Sequence, residues 1–231
     1  MAQAQADLAA RRAAPLGTIT IAVPPLLGNA LLVDLVRRLK AQYPLVSIRV
    51  REAFAAEALE WLAAGTLDIA VLFNPPRLST LVVEPVLDDQ IHLVGTPESL
   101  DRPHGTPLPM KMLEHLPLVV SPAPHRLRGL IESAAHEAGV RLKVEVEVTG
   151  IHTILELVRA RIGFTVLPSV LLQGDIREQR LAAWPIVDPI IATRLHVATS
   201  MQRPQTLAVK VALKAIAKIL AHHHPAARQR G

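Results

Sequence analysis

The chain has 231 residues, half of them hydrophobic but only 3% aromatic, with a net charge of +5 and no cysteine. That length and apolar content support one large α/β domain or two small ones, and an aliphatic interior suits parallel strands buried under helices. The lack of cysteine excludes disulfides, thiolate metal sites and a cysteine nucleophile.

Residues 18–23 and 45–50 read as strands. Between them Leu31, Leu32, Leu35, Val36 and Leu39 recur at helical spacing, and Tyr43-Pro44 closes that helix. Residues 54–64 form the next helix, capped by Gly65, and 67–72 a third strand stopped by Asn74-Pro75-Pro76. This βαβαβ order is the start of a doubly wound parallel sheet. Two extended segments, 81–87 and 90–94, lead into a Pro- and Gly-rich crossover at 96–109. A second unit runs from a strand at 118–120 through a helix at 126–138, ended by Gly139, to a strand at 142–148. Ile151, Ile154, Leu155 and Val158 mark another helix, 163–167 a strand cut by Pro168, 190–199 a last strand and 207–221 a last helix. The tail from His222 is expected to fray. Two such halves predict a two-lobed, hinged binding protein.

One device occurs twice. The first strand breaks at Pro24-Pro25 and feeds a helix from Gly28; the strand ending at Val148 breaks at Thr149-Gly150 and feeds a helix from Ile151. A helix that starts at the carboxyl end of a buried strand presents unpaired N–H groups and a positive dipole end. The pair predicts a cleft for a small anionic ligand.

Catalytic motifs do not compete with this reading. Nucleophile elbow, phosphate loop, dinucleotide fingerprint and zincin patterns are all missing from the sequence. His222-His223-His224 reads as tail, and Glu145 and Glu147 as the exposed face of an edge strand. No catalytic residue, metal site or cofactor is expected. The basic clusters Arg37-Arg38-Lys40 and Lys210/Lys214/Lys218 read as solvated helix faces, with too few aromatics for base stacking. The first residues hold Arg11 and Arg12 without an apolar run, and no stretch reaches membrane-span length. A cytoplasmic protein without a membrane partner is expected.

The run Leu16-Gly17-Thr18-Ile19-Thr20-Ile21-Ala22, the Tyr43-Pro44 stop and Leu67-Asp68-Ile69-Ala70-Val71 after Gly65 carry a resemblance. So do Leu116-Pro117-Leu118-Val119-Val120 and the stretch from Leu157 through Gly163-Phe164 to Pro168. In this order they resemble the effector-binding domain of LysR-type transcriptional regulators, over about 16–221. Glu60-Trp61-Leu62 and Phe73-Asn74-Pro75-Pro76 are most similar to the branch containing nitrogen- and sulfur-assimilation regulators. The resemblance implies an α/β, type 2 periplasmic-binding-protein-like fold with two Rossmann-like βαβ lobes joined by hinge crossovers. Residues 16–95 and 200–222 would form lobe I, 96–199 lobe II, 1–15 the remnant of a linker helix, and 223–231 a disordered tail. DNA would be contacted only through an N-terminal winged helix-turn-helix absent from this chain. A small-molecule effector, a homodimer or homotetramer and RNA polymerase are the implied partners. Leu31, Leu35 and Leu39 would supply apolar surface to both core and partner. A solute-binding protein of a transporter, which shares the fold, is the alternative.

The resemblance also places the effector. In the family a Ser or Thr stands at the turn after the first strand; here Pro25, Leu26, Leu27, Gly28 and Asn29 occupy it, with Leu26 at the hydroxyl position. The substitution removes a hydrogen bond and favours an apolar ligand edge. Asn29 either replaces the contact or caps the helix. The matching turn holds Thr149, Gly150, Ile151 and His152, with Gly150 where a small hydroxyl residue is common. Thr149 is a helix cap or a ligand contact, and His152 a carboxylate donor or an exposed first-turn residue. Ser121 and His125 at the exit of 118–120, with Phe73, Asn74 and Thr96, complete the expected lining.

Overall fold

A computed structural model describes residues 15–222, the side chains of residues 29 and 30 excepted. In chain order the elements are β1 (Gly17–Val23), α1 (Leu27–Gln42), β2 (Val46–Glu52), α2 (Ala55–Ala63), β3 (Ile69–Phe73), β4 (Leu81–Gly95) and β5 (Leu108–Pro109). They continue as β6 (Leu118–Val120), α3 (Arg126–Glu137), β7 (Val144–Glu147), α4 (Ile151–Arg159), β8 (Thr165–Pro168), α5 (Gln173–Arg177), β9 (Ala182–Val187), β10 (Ala192–Ser200) and α6 (Leu207–His222). Short 3-10 turns occupy Met110–His115 and Ser169–Leu172. The chain divides into two compact units, one up to Leu87 and from Leu195 onward, the other Asp88–Arg194.

In the first unit β1 has parallel partners on both sides, β2 from Gly17↔Val46 to Val23↔Glu52 and β3 at Ile21↔Ile69 and Ala22↔Ala70. Part of β10 joins β3 in antiparallel register, Leu195↔Phe73 to Ala198↔Ala70. A strand flanked this way is buried on both faces toward its exit, where β1 passes from the alternation Thr18-Ile19-Thr20-Ile21 to the apolar Ile21-Ala22-Val23; Ile19, Ile21, Ala22 and Val23 are fully buried. Helix α1 seals the sheet with Leu31, Leu35 and Leu39, one stripe at successive turns. These leucines are at most 1% exposed, so the expectation that they also serve a partner is corrected: the core consumes them. Exposed apolar groups on α1 include Val33 and Val36 instead. Helix α6 packs against α1 and β1, burying Ala212, Ile216 and Leu220. The Asp68 carboxylate accepts the Thr20 amide at 2.8 Å, tying the start of β3 to β1.

In the second unit β4 pairs antiparallel with β8, Ile91↔Pro168 to Val94↔Thr165, and with β9, His92↔Pro185 to Gly95↔Ala182. β5 is parallel to β9, and β6 is parallel to β7 with an irregularity after Leu118. Ile91, Leu93, Met110, Leu118, Ile131 and Trp184 form the core. The fully buried Trp184 keeps its indole N–H satisfied by the Arg102 and Pro103 carbonyls, each at 3.1 Å.

Several sequence readings change. Residues 81–95 form one strand, not two, because the acidic pair that punctuates it is satisfied. Asp88 is ion-paired with Arg194, while Asp89 accepts the Ser169 hydroxyl at 2.7 Å and the Val170 amide at 2.9 Å. The sheets are mixed, since β4 and β10 run against their neighbours. The units part inside β4 and β10, not after residues 95 and 199. β9 and α5 have no counterpart in the sequence reading. His222 closes α6 rather than opening a tail, its Nδ1 2.6 Å from the Lys218 carbonyl. Residues 1–14 and 223–231, with the linker and tail expected there, lie outside the described residues.

Candidate functional site

In the first unit the carboxyl ends of β1, β2 and β3 lie side by side, since the three strands are parallel and β1 is central. Helix α1 leaves from the exit of β1 and α2 from the exit of β2. Neither start carries a side-chain capping bond, so their first amides point out of the strand ends without that partner. The cap of α1 is Leu26, not Asn29, which falls within the first turn; its side chain lies outside the described residues. Leu26 has φ 71° and ψ −34°, a region that costs a non-glycine residue roughly 1–3 kcal/mol and that clusters at functional turns. Its side chain is only 6% exposed. The Leu27 amide donates to the Pro24 carbonyl at 3.2 Å, closing the turn.

Gly28 sits where α1 meets β2: a Cβ built there would stand 3.3 Å from Oε1 of Glu52. The last residue of β2 therefore brings a carboxylate to the start of α1, a group sequence reasoning missed because the strand pattern was ended at Val50. Phe73 ends β3 half-buried, and Asn74 turns the chain with φ 42°.

The second unit repeats the arrangement. β6 and β7 are parallel, and the Val148 amide donates to the Val120 carbonyl at 3.0 Å, so their exits are adjacent. Helix α3 starts beyond β6 with His125 as its cap residue, and α4 beyond β7 with Gly150; again neither has a side-chain capping bond, nor an acidic residue in its first turn. Thr149 is therefore not the cap. Gly150 has φ −87°, open to any residue, and a Cβ there would meet only Thr153, at 3.4 Å or more. Ile151 is half-buried, while Thr149 and His152 are exposed.

Arg128, on α3, ties this edge together. Its side chain is 11% exposed, and the guanidinium donates to Glu147 at 2.9 Å, to Glu132 at 2.6 Å and to the Ser121 carbonyl at 3.3 Å. The Arg128–Glu132 contact is an i,i+4 pair within α3, whereas the reach to Ser121 and Glu147 depends on the fold. Burial holds the half-buried His125 imidazole below the ordinary histidine value. Thr96 is buried, its hydroxyl 2.7 Å from that of Ser99, so its polar atom is used within its own turn.

Each unit thus places two helix starts without a side-chain capping bond beyond adjacent parallel strand ends. Comparison with known proteins identifies the family. The LysR substrate binding domain model matches residues 12–221, and the chain belongs to that family. HTH-type transcriptional regulator BbuR of Bordetella bronchiseptica is 29% identical over 184 residues, covering 80% of this chain and 55% of the regulator. A probable nitrogen assimilation transcriptional activator of Synechococcus elongatus is 25% identical, covering 78% of this chain and 59% of the activator. The chain thus spans little more than half the length of these relatives. Its fold matches the regulatory domain of CcmR from Synechocystis, solved in complex with 2-PG. That match has a TM-score of 0.76 and 16% identity, covering 88% of this chain and 97% of that domain. Among the described residues no helix is long and apolar enough to cross a membrane.

Proposed function

We propose that this chain is the ligand-sensing part of a cytoplasmic LysR-type transcriptional regulator, without enzymatic activity, that binds a small acidic effector and transmits binding through its oligomer. The observation that carries the reading is the recurrence, in both units, of helices that begin at parallel strand exits without a side-chain capping bond. Such amides bind carboxylates and phosphates without a dedicated cation. Family membership favours a regulator over the solute-binding protein of a transporter.

Each unit's turn is a separate candidate contact for the effector. The first-unit turn offers Pro25, Leu26, Leu27 and Gly28, with the Glu52 carboxylate beside Gly28, and suits an apolar or hydrogen-donating edge. The second-unit turn, with Ser121, His125, Thr149, Gly150, Ile151 and His152, has no acidic first-turn residue and takes the acidic group. Effector binding shifts the population of oligomer arrangements by its differential affinity for them. DNA is engaged by a winged helix-turn-helix elsewhere in the full protein.

The test is a thermal-shift screen of carboxylic and phosphorylated acids, followed by calorimetric titration. A true effector at about 100 times its Kd contributes about 2.7 kcal/mol, raising Tm by roughly 5–10 °C for a chain of this size. Gly150→Trp, which the open surroundings of Gly150 admit, abolishes that binding without unfolding the chain. Leu26→Ser gains about 1 kcal/mol for a ligand with a polar edge. Unchanged affinity in a folded Gly150→Trp protein refutes the second-unit turn as an effector contact.

A further inference from the structure

Helix α6 presents Lys210, Lys214 and Lys218 at every fourth position, and these three are the only exposed residues from 210 to 218. The opposite face is buried through Ala212, Ile216 and Ile219. At 1.5 Å rise per residue the lysines stand about 6 Å apart, in a row about 12 Å long. None of them enters an ion pair among the described residues. Other cations are neutralised where a carboxylate lies in reach: Arg159 by Asp175, Arg194 by Asp88 and Arg203 by Asp68. The helix itself holds no acidic residue, and Asp188 is the last Asp or Glu in the chain. The stretch beyond Asp188 therefore carries seven Lys and Arg and no acidic residue, three of the seven in this row.

We infer that the lysine row of α6 is a sequence-independent contact for the phosphate backbone of duplex DNA. One strand presents a phosphate about every 3.4 Å along the axis, so a row of about 12 Å faces three or four of them. Lysine suits this task, being a mobile point charge that neutralises phosphate without the planar fork used to read bases. A membrane-surface helix carries a broad exposed apolar face, whereas of its large apolar side chains α6 exposes Leu207 alone, and no apolar residue from 210 to 218 is exposed. The contact adds affinity and orientation but no sequence information. It stands on charge and spacing in α6 and is independent of the effector site.

The experiment uses the 231-residue chain and fluorescein-labelled duplexes of two unrelated sequences, read by anisotropy across a salt series. Three neutralised phosphates give a slope of log K against log salt of about −2.7, a loss of about 40-fold for a fourfold rise in salt. Both duplexes bind equally. The K210Q/K214Q/K218Q variant, with unchanged circular dichroism and Tm, loses most of that slope, whereas the corresponding triple Lys→Arg variant keeps it. R228Q/R230Q keeps it as well, separating the row from the basic residues of the tail. The inference is overturned by a full slope in the folded triple Gln variant, or by its loss in R228Q/R230Q. Tighter binding to phosphatidylglycerol vesicles or to polyglutamate than to duplex at the same salt overturns it too, in favour of a lipid or an acidic protein surface.

Discussion

Gly163 lies just before β8, where its backbone passes close to Pro117. A Cβ placed on it would sit 2.7 Å from the Pro117 carbonyl oxygen and 3.2 Å from Cγ2 of Val119. That oxygen already accepts the Phe164 amide at 2.8 Å, and the Phe164 carbonyl accepts the Val119 amide at 2.7 Å. Gly163→Ala therefore pushes against backbone, not a movable side chain. Relief requires residues 163 and 164 to withdraw and stretch both bonds. Overpacking costs about 1–3 kcal/mol, and weakening two backbone hydrogen bonds adds about 1 kcal/mol. About 3 kcal/mol lowers Tm by roughly 6–12 °C in a chain of this length. Gly129→Ala is the matched control: the glycine lies inside α3 with no atom within 4 Å of its built Cβ. There alanine gains up to about 1 kcal/mol of helix propensity, and Tm rises by about 2–4 °C. Thermal melts followed at 222 nm measure both. A Gly163→Ala melt within 2 °C of wild type, or a larger loss at Gly129 than at Gly163, would refute the packing of β6 against residues 163–164.

Acid should destabilise the second unit. Burial holds both His92 and His125 below the ordinary value of 6.5, at His92 against the opposing Gln90 carbonyl and Asp89 charge. The unfolded chain takes up these protons first, so stability is full above pH 6.5 and falls as the pH drops through the depressed values. Tm measured from pH 8 to 5 should decline, and His125→Gln should flatten part of that decline; a flat wild-type profile contradicts the assignment. The chain should dimerise in sedimentation velocity with at least about 1,200 Å² buried, and Val33→Lys, which sacrifices no core contact, should weaken the dimer. Monomer alone at tens of micromolar would rule this out. Arg128→Gln should lower Tm modestly by releasing Glu147 and the Ser121 carbonyl, and should weaken any ligand held at that turn; an unaltered titration in the folded variant would remove Arg128 from the site's support.

Local pattern made most of the first unit readable. The 3.6-residue recurrence of Leu31, Leu35 and Leu39 and the mostly apolar stretch from Ile19 to Val23 point to a helix stripe and a central strand, and the fold supplies both. The βαβαβ order of this unit was legible for the same reason, whereas the family was read from the resemblance of motifs such as those at 16–22 and 67–71. Tertiary structure decided what depends on partners distant in sequence. β4 runs unbroken through Asp88 and Asp89 only because Arg194 and residues 169–170 satisfy them. Thr96 spends its hydroxyl on Ser99, and Glu52 reaches the start of α1 because the parallel register of β1 and β2 brings their ends together. Helix caps followed the same rule. The residue types at Asn29 and Thr149 suggested caps, but the chain direction out of β1 and β7 gave that position to Leu26 and Gly150. A side chain's preference is local, whereas its partner is set by which strand ends meet, and only the folded chain fixes that.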